Sequence, residues 1–564
     1  MMHFVSIFIP CILVGFSQGE VKWWSTTSIY QVYPLSLQDS DGDGYGDLQG
    51  VISKITYFQR LGVETLWLTP IYSSPMKDFG YDVSDYRSIN PIFGTIEDFK
   101  ELLDVSHSLE LRVLIDFVPN HSSDEHEWFK KSVAQEDPYT DYYVWVDPIS
   151  FNGTVPIPPT NWLSKVRTSA WQWSDDRQQF YYHQYQAAQP DLNYRNRHVI
   201  EEMKDVLDFW FDLGIDGVRM DAVSHLIEDD RLLDEPSSGD PDALDNLDYK
   251  YLNHTYTNNQ DETRDILANF TEHIKSKYGD KFVILETDLG IVENMAYYSS
   301  GDMPFNFNLA KHLDGEVTPE KLKAVILSWQ TIMEDIAPFG SSANWVSGSH
   351  DIARIASRIS PLLVDHINML VLMLPGVSVT YQGEEIGMTN TNLTWEQTLD
   401  PAGLACGPER YQDCSRDPER TPMQWDKSTS AGFSTSNKTW LPVNQNYPWI
   451  NVETQEENEQ PHNSHLGVYK DSMKLRNSLD IAEEIKIIVN NSLFIYYGDD
   501  SFGLILNFGQ STNFDFHGTI GGSSSFTGQV VARSVNGSDE NTVGSFVDLT
   551  NIYLGAFEAI LIIY

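Results

Sequence analysis

Positive charge is scarce in this chain of 564 residues: 37 Lys and Arg stand against 81 Asp and Glu, a formal net charge of -44. That balance argues against a nucleic-acid partner, because phosphate backbones are held by Lys and Arg. It argues equally against docking on an anionic membrane surface. A small neutral substrate such as a sugar is indifferent to the field, and acidity also keeps a secreted protein soluble. Cysteine is scarcer still, with three. Cys11 falls in an N-terminal leader, which leaves Cys406 and Cys414, in ACGPERYQDC, to bridge a short loop in an oxidising compartment. A catalytic cysteine has no support. Long apolar runs are also missing. The run from Phe4 to Phe16 is too short for a comfortable membrane span. Ser17-Gln18-Gly19 follows it, so residues 1–19 read as a signal peptide cleaved after Gly19. The C-terminal GAFEAILIIY lacks the spacer and tail of a lipid-anchor signal and reads as a last β-strand. A secreted, extracellular protein is expected.

What is present is a globular balance, 41% hydrophobic and 21% charged. Short β-rich runs alternate with helical patterns. Val51, Ile52, Ile55, Phe58 and Leu61 recur at helical spacing, Gly62 stops the helix, and VETLWLTP follows as a buried strand. Strands are also expected at IYQVYP, LRVLIDFV, GVRM, FVILE, MPFNF, ANWVSG and GVSVTYQG. Alternation at this period predicts an α/β fold, a (β/α)₈ TIM barrel. The Trp-, Tyr- and Pro-rich stretch 121–195, after the third strand, is too long for a loop and is expected to be a small inserted domain. The barrel would then occupy 20–120 and 196–479. Residues 480–564 read as short strands with polar turns, a C-terminal antiparallel β-sandwich domain.

Catalytic groups of such barrels sit at the C-terminal ends of the strands. The third strand ends in Asp116-Phe-Val-Pro-Asn120-His121, the fourth in Arg219-Met-Asp221, the fifth in Glu286, the seventh in Ser349-His350-Asp351. Crowded carboxylates repel and raise one another's pKa, a cost tolerated mainly where acid/base work uses it. Two carboxylates fit glycoside hydrolysis, one attacking the anomeric carbon and one protonating the leaving oxygen. Asp221 and Glu286 end consecutive strands, roughly 4.8 Å apart in a sheet, which suits the spacing of about 5 to 5.5 Å for retention. Arg219 shares a strand face with Asp221 and is expected to hold it ionised. Glu286 follows the apolar FVIL, a setting suited to an acid.

DFVPNH, QPDLN, GVRMDAVSH, the Glu286 strand and His350-Asp351, in this order, resemble glycoside hydrolase family 13, the α-amylase family. Within it the chain is similar to the insect maltases, which are α-glucosidases. The resemblance runs from about Trp23 through the C-terminal strands. It implies Asp221 as nucleophile, Glu286 as acid/base, and Asp351 as a third carboxylate on sugar hydroxyls. His121, Arg219 and His350 match sugar-binding positions. In KDFGYD it implies Asp78 on the terminal sugar's far hydroxyls and Tyr81 stacked on its ring. In SRDPERTPMQWD it implies Arg416 paired with Asp78, which closes the cleft and makes the enzyme exo-acting. A surface ion pair is the plainer alternative. Ala222, small and next to Asp221, implies α-1,4 preference, hence maltose and short maltooligosaccharides, with sucrose open. Two departures stand out: Ser349 where relatives usually have Asn, and LETDLG where relatives often have EAY.

The stretch Asp39-Ser-Asp41-Gly-Asp43-Gly-Tyr45-Gly-Asp47 sets oxygen ligands at alternate positions on a Gly-rich loop, which suits Ca²⁺; position 12 is Gly50, so it is no EF-hand. The resemblance implies structural Ca²⁺ on Asp39, Asp41, Asp43, the Tyr45 carbonyl and Asp47. The alternative is a turn merely rich in Asp and Gly. Glycosylation sequons stand at Asn152, Asn253, Asn269, Asn392, Asn437, Asn490 and Asn536. Another, at Asn120, lies within DFVPNH and is expected to go unused. Two rivals remain: a non-catalytic binding protein or receptor on the same fold, and a transglucosylase, in which a sugar rather than water resolves the intermediate.

Overall fold

The computed structural model describes residues 22–243, 245–458, 461–479, 484–498 and 501–564; the expected leader, with Cys11, lies outside them. Eight strands form one sheet: β1 (Ser28–Val32), β2 (Thr65–Leu68), β3 (Arg112–Phe117), β4 (Gly217–Met220), β5 (Phe282–Leu285), β6 (Met303–Pro304), β7 (Asn344–Val346) and β8 (Val377–Tyr381). Their order is β6-β5-β4-β3-β2-β1-β8-β7, and every ladder is parallel. Parallel neighbours need crossovers, and helices supply them: α1 (Leu48–Leu61), α2 (Ile96–Ser108), α3 (Arg197–Leu213), α4 (Asp261–Tyr278), α5 (Ile291–Met295), α6 (Pro319–Ile336), α7 (Val364–Met373) and α8 (His465–Arg476). This is the expected (β/α)₈ barrel.

The helices begin and end where the sequence chemistry says they should. Asp47 caps α1 by accepting from Gly50 N at 2.7 Å, and Gly62 ends it at φ 85°, a left-handed position that suits glycine. Thr95 and Asp98 form a reciprocal capping box on α2. The apolar stripe of α1, Leu48, Val51, Ile55, Phe58 and Leu61, is buried against the barrel. Each such side chain contributes roughly 1.5–3 kcal/mol.

Among the described residues no backbone ladder joins β6 to β7. A side chain closes the gap. Asn344, fully buried, accepts from Asn306 N at 2.8 Å and donates to Pro304 O at 2.7 Å. Its amide stands in for a missing peptide unit and pairs Asn306 N and Pro304 O across the last seam.

The segment between β3 and α3 leaves and re-enters the barrel rim at one place. Leu192 N donates to Asn120 O at 3.0 Å, Ser122 N to Pro190 O at 3.2 Å, and Asn120 Nδ2 to Asp191 Oδ2 at 2.9 Å. Between these ends lies a three-stranded antiparallel sheet, Trp145–Val146, Gln179–Tyr182 and Trp171–Ser174, with its own apolar cluster of Trp162, Trp171, Phe180 and Tyr182.

Beyond α8 a six-stranded antiparallel sheet pairs Lys486–Asn490, Leu493–Gly498, Phe502–Asn507, Ala559–Ile563, Thr527–Arg533 and Phe546–Asp548 in that spatial order. The C-terminal AILII is thus an interior strand. Alternate residues face opposite ways. Phe494, Tyr496, Leu504 and Leu506 join the core shared with the barrel helices, while Leu493, Ile495 and Ile505 pack under the two-stranded sheet Thr512–Phe514 and Ile552–Leu554.

Asn344→Leu tests the closure. It keeps the volume and leaves a buried N–H and a buried C=O unpaired, at about 1–3 kcal/mol each. The expected result is a clearly lowered melting temperature; a melting curve that superposes on wild type would refute the closing role of Asn344.

Candidate active site

Gly217↔Phe282 through Met220↔Leu285 are register partners, so Asp221 and Glu286 are the first residues past the ends of β4 and β5. Glu286 N still donates to Met220 O at 2.9 Å. The two carboxyls therefore leave adjacent strands at the same height. Arg219, 2% exposed, reaches up between them. Its NH1 contacts Asp221 Oδ1, its NH2 lies 3.2 Å from Glu286 Oε1, and NH1 also lies 3.2 Å from Asp116 Oδ2. One guanidinium thus serves three carboxyls.

Asp116 also accepts from Trp67 Nε1 at 2.5 Å and from the Tyr81 hydroxyl at 2.7 Å. Burial still pushes it up to about 6 against Arg219 and these bonds. Burial pushes Asp221 well up too, opposed by Arg219 and reinforced by Glu286 and Asp116. The sequence credited Arg219 with holding Asp221 ionised. The contact is present, but one positive charge among three carboxyls is outweighed by burial and repulsion, and the cluster tends to retain a proton. Glu286 also departs from expectation. Its surroundings are polar rather than apolar: besides Arg219, Ala222 N donates to Oε2 at 2.7 Å. Ala222 adopts φ 51°, ψ 31°, a left-handed conformation costly for alanine.

The third carboxylate stands across from this pair. Arg420 NH2 is 2.5 Å from Asp351 Oδ1, Arg416 NH1 3.2 Å from it, and His350 Nε2 3.3 Å from Oδ2. Burial opposes ionisation, but the fixed charges of Arg420 and Arg416 hold Asp351 well below the usual carboxylate range. His350 itself is pulled down to about 3 by burial, and His121 to about 4, so both rings are neutral near pH 7. The His350 ring is wedged between Gln31 Nε2, 2.8 Å from Nδ1, and the Tyr81 hydroxyl, 2.7 Å from Nε2. The Tyr81 and His350 rings are nearly parallel, 5° apart with centroids at 5.5 Å, and lie side by side through that hydrogen bond.

Asp78 and Arg416 meet as expected, Arg416 NH2 lying 3.1 Å from Asp78 Oδ1. They do not form a surface pair: Asp78 is buried, and Gln189 Nε2 donates to its other oxygen at 3.0 Å while lying 3.1 Å from His121 Nε2. Arg416 is gripped by Asp400 at 2.7 Å and 3.1 Å. Cys406 and Cys414 are disulfide-bonded, Cα atoms 6.4 Å apart, two residues before Arg416. Bridge and Asp400 together fix the loop.

These groups surround a cavity of about 450 Å³. Glu286, Asp351, Asp78, Arg219, His350 and Arg416 line it. Asp221, Tyr81 and His121 stand directly behind, bonded to Arg219, His350 and Gln189. Ser349 also lines the wall, but its Oγ is turned to Asp351 N at 3.2 Å. Sequence reasoning missed Gln31, Trp67, Gln189, Asp400 and Arg420, and noted Asp116 without a role. Gln189 opens QPDLN and Arg420 lies four residues past Arg416, so local signals existed for these two.

In the Asp-rich loop, Asp39, Asp41 and Asp43 each bring a carboxylate oxygen within 4.8 Å of the others. No ion pair links them to a Lys or Arg among the described residues, so a hard divalent cation fits the donor set. Asp47 does not join that group. Its oxygens accept from Gly50 N at 2.7 Å and Ser40 N at 2.8 Å, because it is the N-cap of α1. The sequons at Asn152, Asn253, Asn269, Asn392, Asn437 and Asn490 are exposed. Asn536 is half-buried, and its Nδ2 donates to Phe557 O at 2.5 Å. Asn120 is buried, as anticipated.

The catalytic domain described as alpha amylase matches residues 31–484. The chain belongs to the α-amylase family. It is similar to Maltase 1 of Drosophila virilis, 45% identical over 81% of this chain and 73% of that one, and to an alpha-glucosidase of Apis mellifera, 42% identical over 80% and 78%. Among solved structures, the alpha-glucosyl transfer enzyme XgtA covers 96% of this chain and 99% of its own, with TM-score 0.81 and 29% identity. No described helix is long and apolar enough to cross a membrane.

Asp351 provides a pH test. A carboxyl held low adds stability above its unfolded value of about 3.9, and that stability is lost as pH falls below it. Arg420→Met removes one cause, at about 1–3 kcal/mol before discounting the partial exposure of Asp351. The gap in melting temperature between wild type and variant is expected to be widest near neutral pH and to narrow below about pH 4. A gap independent of pH would show that Arg420 does not act through Asp351.

Proposed function

We propose that this chain is a secreted, exo-acting, retaining α-glucosidase that removes terminal α-1,4-linked glucose from maltose and short maltooligosaccharides, with sucrose as a further candidate. One observation carries the reading. A single buried guanidinium bridges Asp221 and Glu286 at equal height on adjacent strands, beside a cavity whose other end is closed by Asp78 and Arg416. The closure admits one terminal sugar, which is what exo action requires. The maltase and alpha-glucosidase among the relatives support the same activity.

In the proposed mechanism Asp221 attacks the anomeric carbon from behind, and the bond to the leaving oxygen breaks as Glu286 gives that oxygen its proton. A covalent glucosyl–Asp221 intermediate results. Glu286, now a base, takes a proton from water as the water oxygen attacks the same carbon, and Asp221 leaves with its electron pair. Two inversions give net retention. Asp351, held ionised, binds sugar hydroxyls and the charge that develops on the ring. His121, neutral, can serve as donor or acceptor to a hydroxyl. Ala222 leaves room beside Asp221 for an α-1,4 geometry. A transglucosylase differs only in the second step, where a sugar hydroxyl replaces water; the glucosyl-transfer enzyme among the structural neighbours favours keeping it as the second reading.

Hydrolysis of an aryl α-glucoside, maltose and sucrose by wild type, Asp221→Asn and Glu286→Gln tests the assignment. Both variants are expected to lose about a thousandfold or more in kcat/KM, the loss of an interaction worth roughly 4 kcal/mol in the transition state. Wild type as inert as Asp221→Asn would end the enzyme reading. Proton NMR of the first turnover should show α-glucose, and β-glucose would contradict retention.

Calcium is proposed on Asp39, Asp41, Asp43, the Tyr45 carbonyl and Asp47, where it would neutralise clustered carboxylates near the start of α1. Chelation should lower the melting temperature, and Asp41→Ala should abolish the effect. Melting unaffected by both chelator and added calcium would leave the loop a plain turn.

A further inference from the structure

The departure LETDLG places Asp288 two residues past Glu286. Asp288 lies in the cavity wall with Lys165 and Lys311. The three arrive from different places: Lys165 from the inserted segment, Asp288 from the loop after β5, and Lys311 from the short helix Asn308–His312 after β6. Both ammonium groups flank the one carboxylate. Lys165 Nζ is 3.4 Å from Asp288 Oδ2, and Lys311 Nζ pairs with Oδ1. Each is also seated over a ring, Lys165 at 4.5 Å from the Tyr249 centroid and Lys311 at 6.0 Å from that of Phe307.

The charge count at this wall is decisive. The Asp288 side chain is 55% exposed; against the partial burial that opposes its ionisation, Lys165 and Lys311 hold it well below the usual carboxylate range. His225, in the same wall, is drawn down to about 3 by burial and by Lys165, so it adds no charge near neutral pH. Two positive charges and one negative leave a surplus of one, on a chain that carries -44 overall. The side of the cavity follows from the neighbours. Asp78 and Arg416 close the sugar end. Glu286, which hands its proton to the leaving oxygen, is two residues from Asp288, so the leaving group lies against the lysines.

Given the α-glucosidase reading above, we propose that Lys165, Asp288 and Lys311 form the leaving-group side of the site and select α-glucosides whose leaving group carries a negative charge, as a phosphate or a carboxylate. Each ammonium is a point charge with three donors, which suits oxyanions. Asp288 keeps the two lysines from repelling each other apart without cancelling both. A cationic leaving group is disfavoured by the same surplus.

The test uses the full chain and two substrate pairs: a nitrophenyl α-glucoside with and without a ring carboxylate, and maltose with and without a phosphate on its leaving glucose. The readout is the ratio of kcat/KM, charged over neutral, within each pair. Comparing wild type with the Lys165→Met/Lys311→Met double variant cancels intrinsic leaving-group reactivity. The ratio is expected to fall at least tenfold in the double variant: the wall loses two positive charges, each worth about a factor of ten at roughly 6 Å in a partly solvated site. In wild type it should also fall as salt rises from about 0.02 to 0.5 M, because exposed charges are screened. A fall in one pair only identifies that anion. Ratios unmoved by both the variant and salt overturn the proposal and leave the α-glucosidase reading standing. No hydrolysis of any of the four substrates overturns both.

Discussion

Arg219 is the one residue on which the whole site depends. Its guanidinium is buried and touches Asp116, Asp221 and Glu286, and its plane lies 5.4 Å from the centroid of Trp67. Three carboxyls packed this closely could not share a dry site without a cation. A single cation does not neutralise them all; burial first, and then mutual repulsion, raises Asp116 and Asp221. A cluster with two carboxyls in excess of its cation favours holding a proton, the property that the proposed acid/base chemistry would use.

The remaining arrangement protects that cluster. β3, β4 and β5 are adjacent in register, so Asp116, Arg219, Asp221 and Glu286 are held by backbone ladders rather than by loops. The opposite wall is built the other way. Asp351, Arg416 and Arg420 come from loops, and what holds them is paired charge: Asp400 on Arg416, Arg420 on Asp351, and a disulfide beside them. The ladder-borne wall sets one cation against three carboxyls, whereas on the loop-borne wall each carboxylate has an arginine partner.

Much of this was legible from residue patterns. Period and turn chemistry located all eight strands, because a buried parallel strand reads as a short apolar run ended by Gly or Pro. Asp221 and Glu286 were legible because both follow such runs directly. Asp78 with Arg416 was legible only through resemblance, since 338 positions separate them. Arg420 and Asp400 were missed for the same physical reason: a loop residue's partner is set by where the loop folds back. Asp47 turned out to be the helix cap of α1, a role that only the position of α1 reveals.

Sequence alone determined the barrel, the strand-end carboxylates and the family, since these rest on local periodicity and on motifs a few residues long. Tertiary structure alone decided the electrostatics. Burial, and the number of carboxyls sharing one guanidinium, depend on distances between residues far apart in the chain. So do the surplus positive charge around Asp288 and the closure of the last barrel seam by the Asn344 side chain.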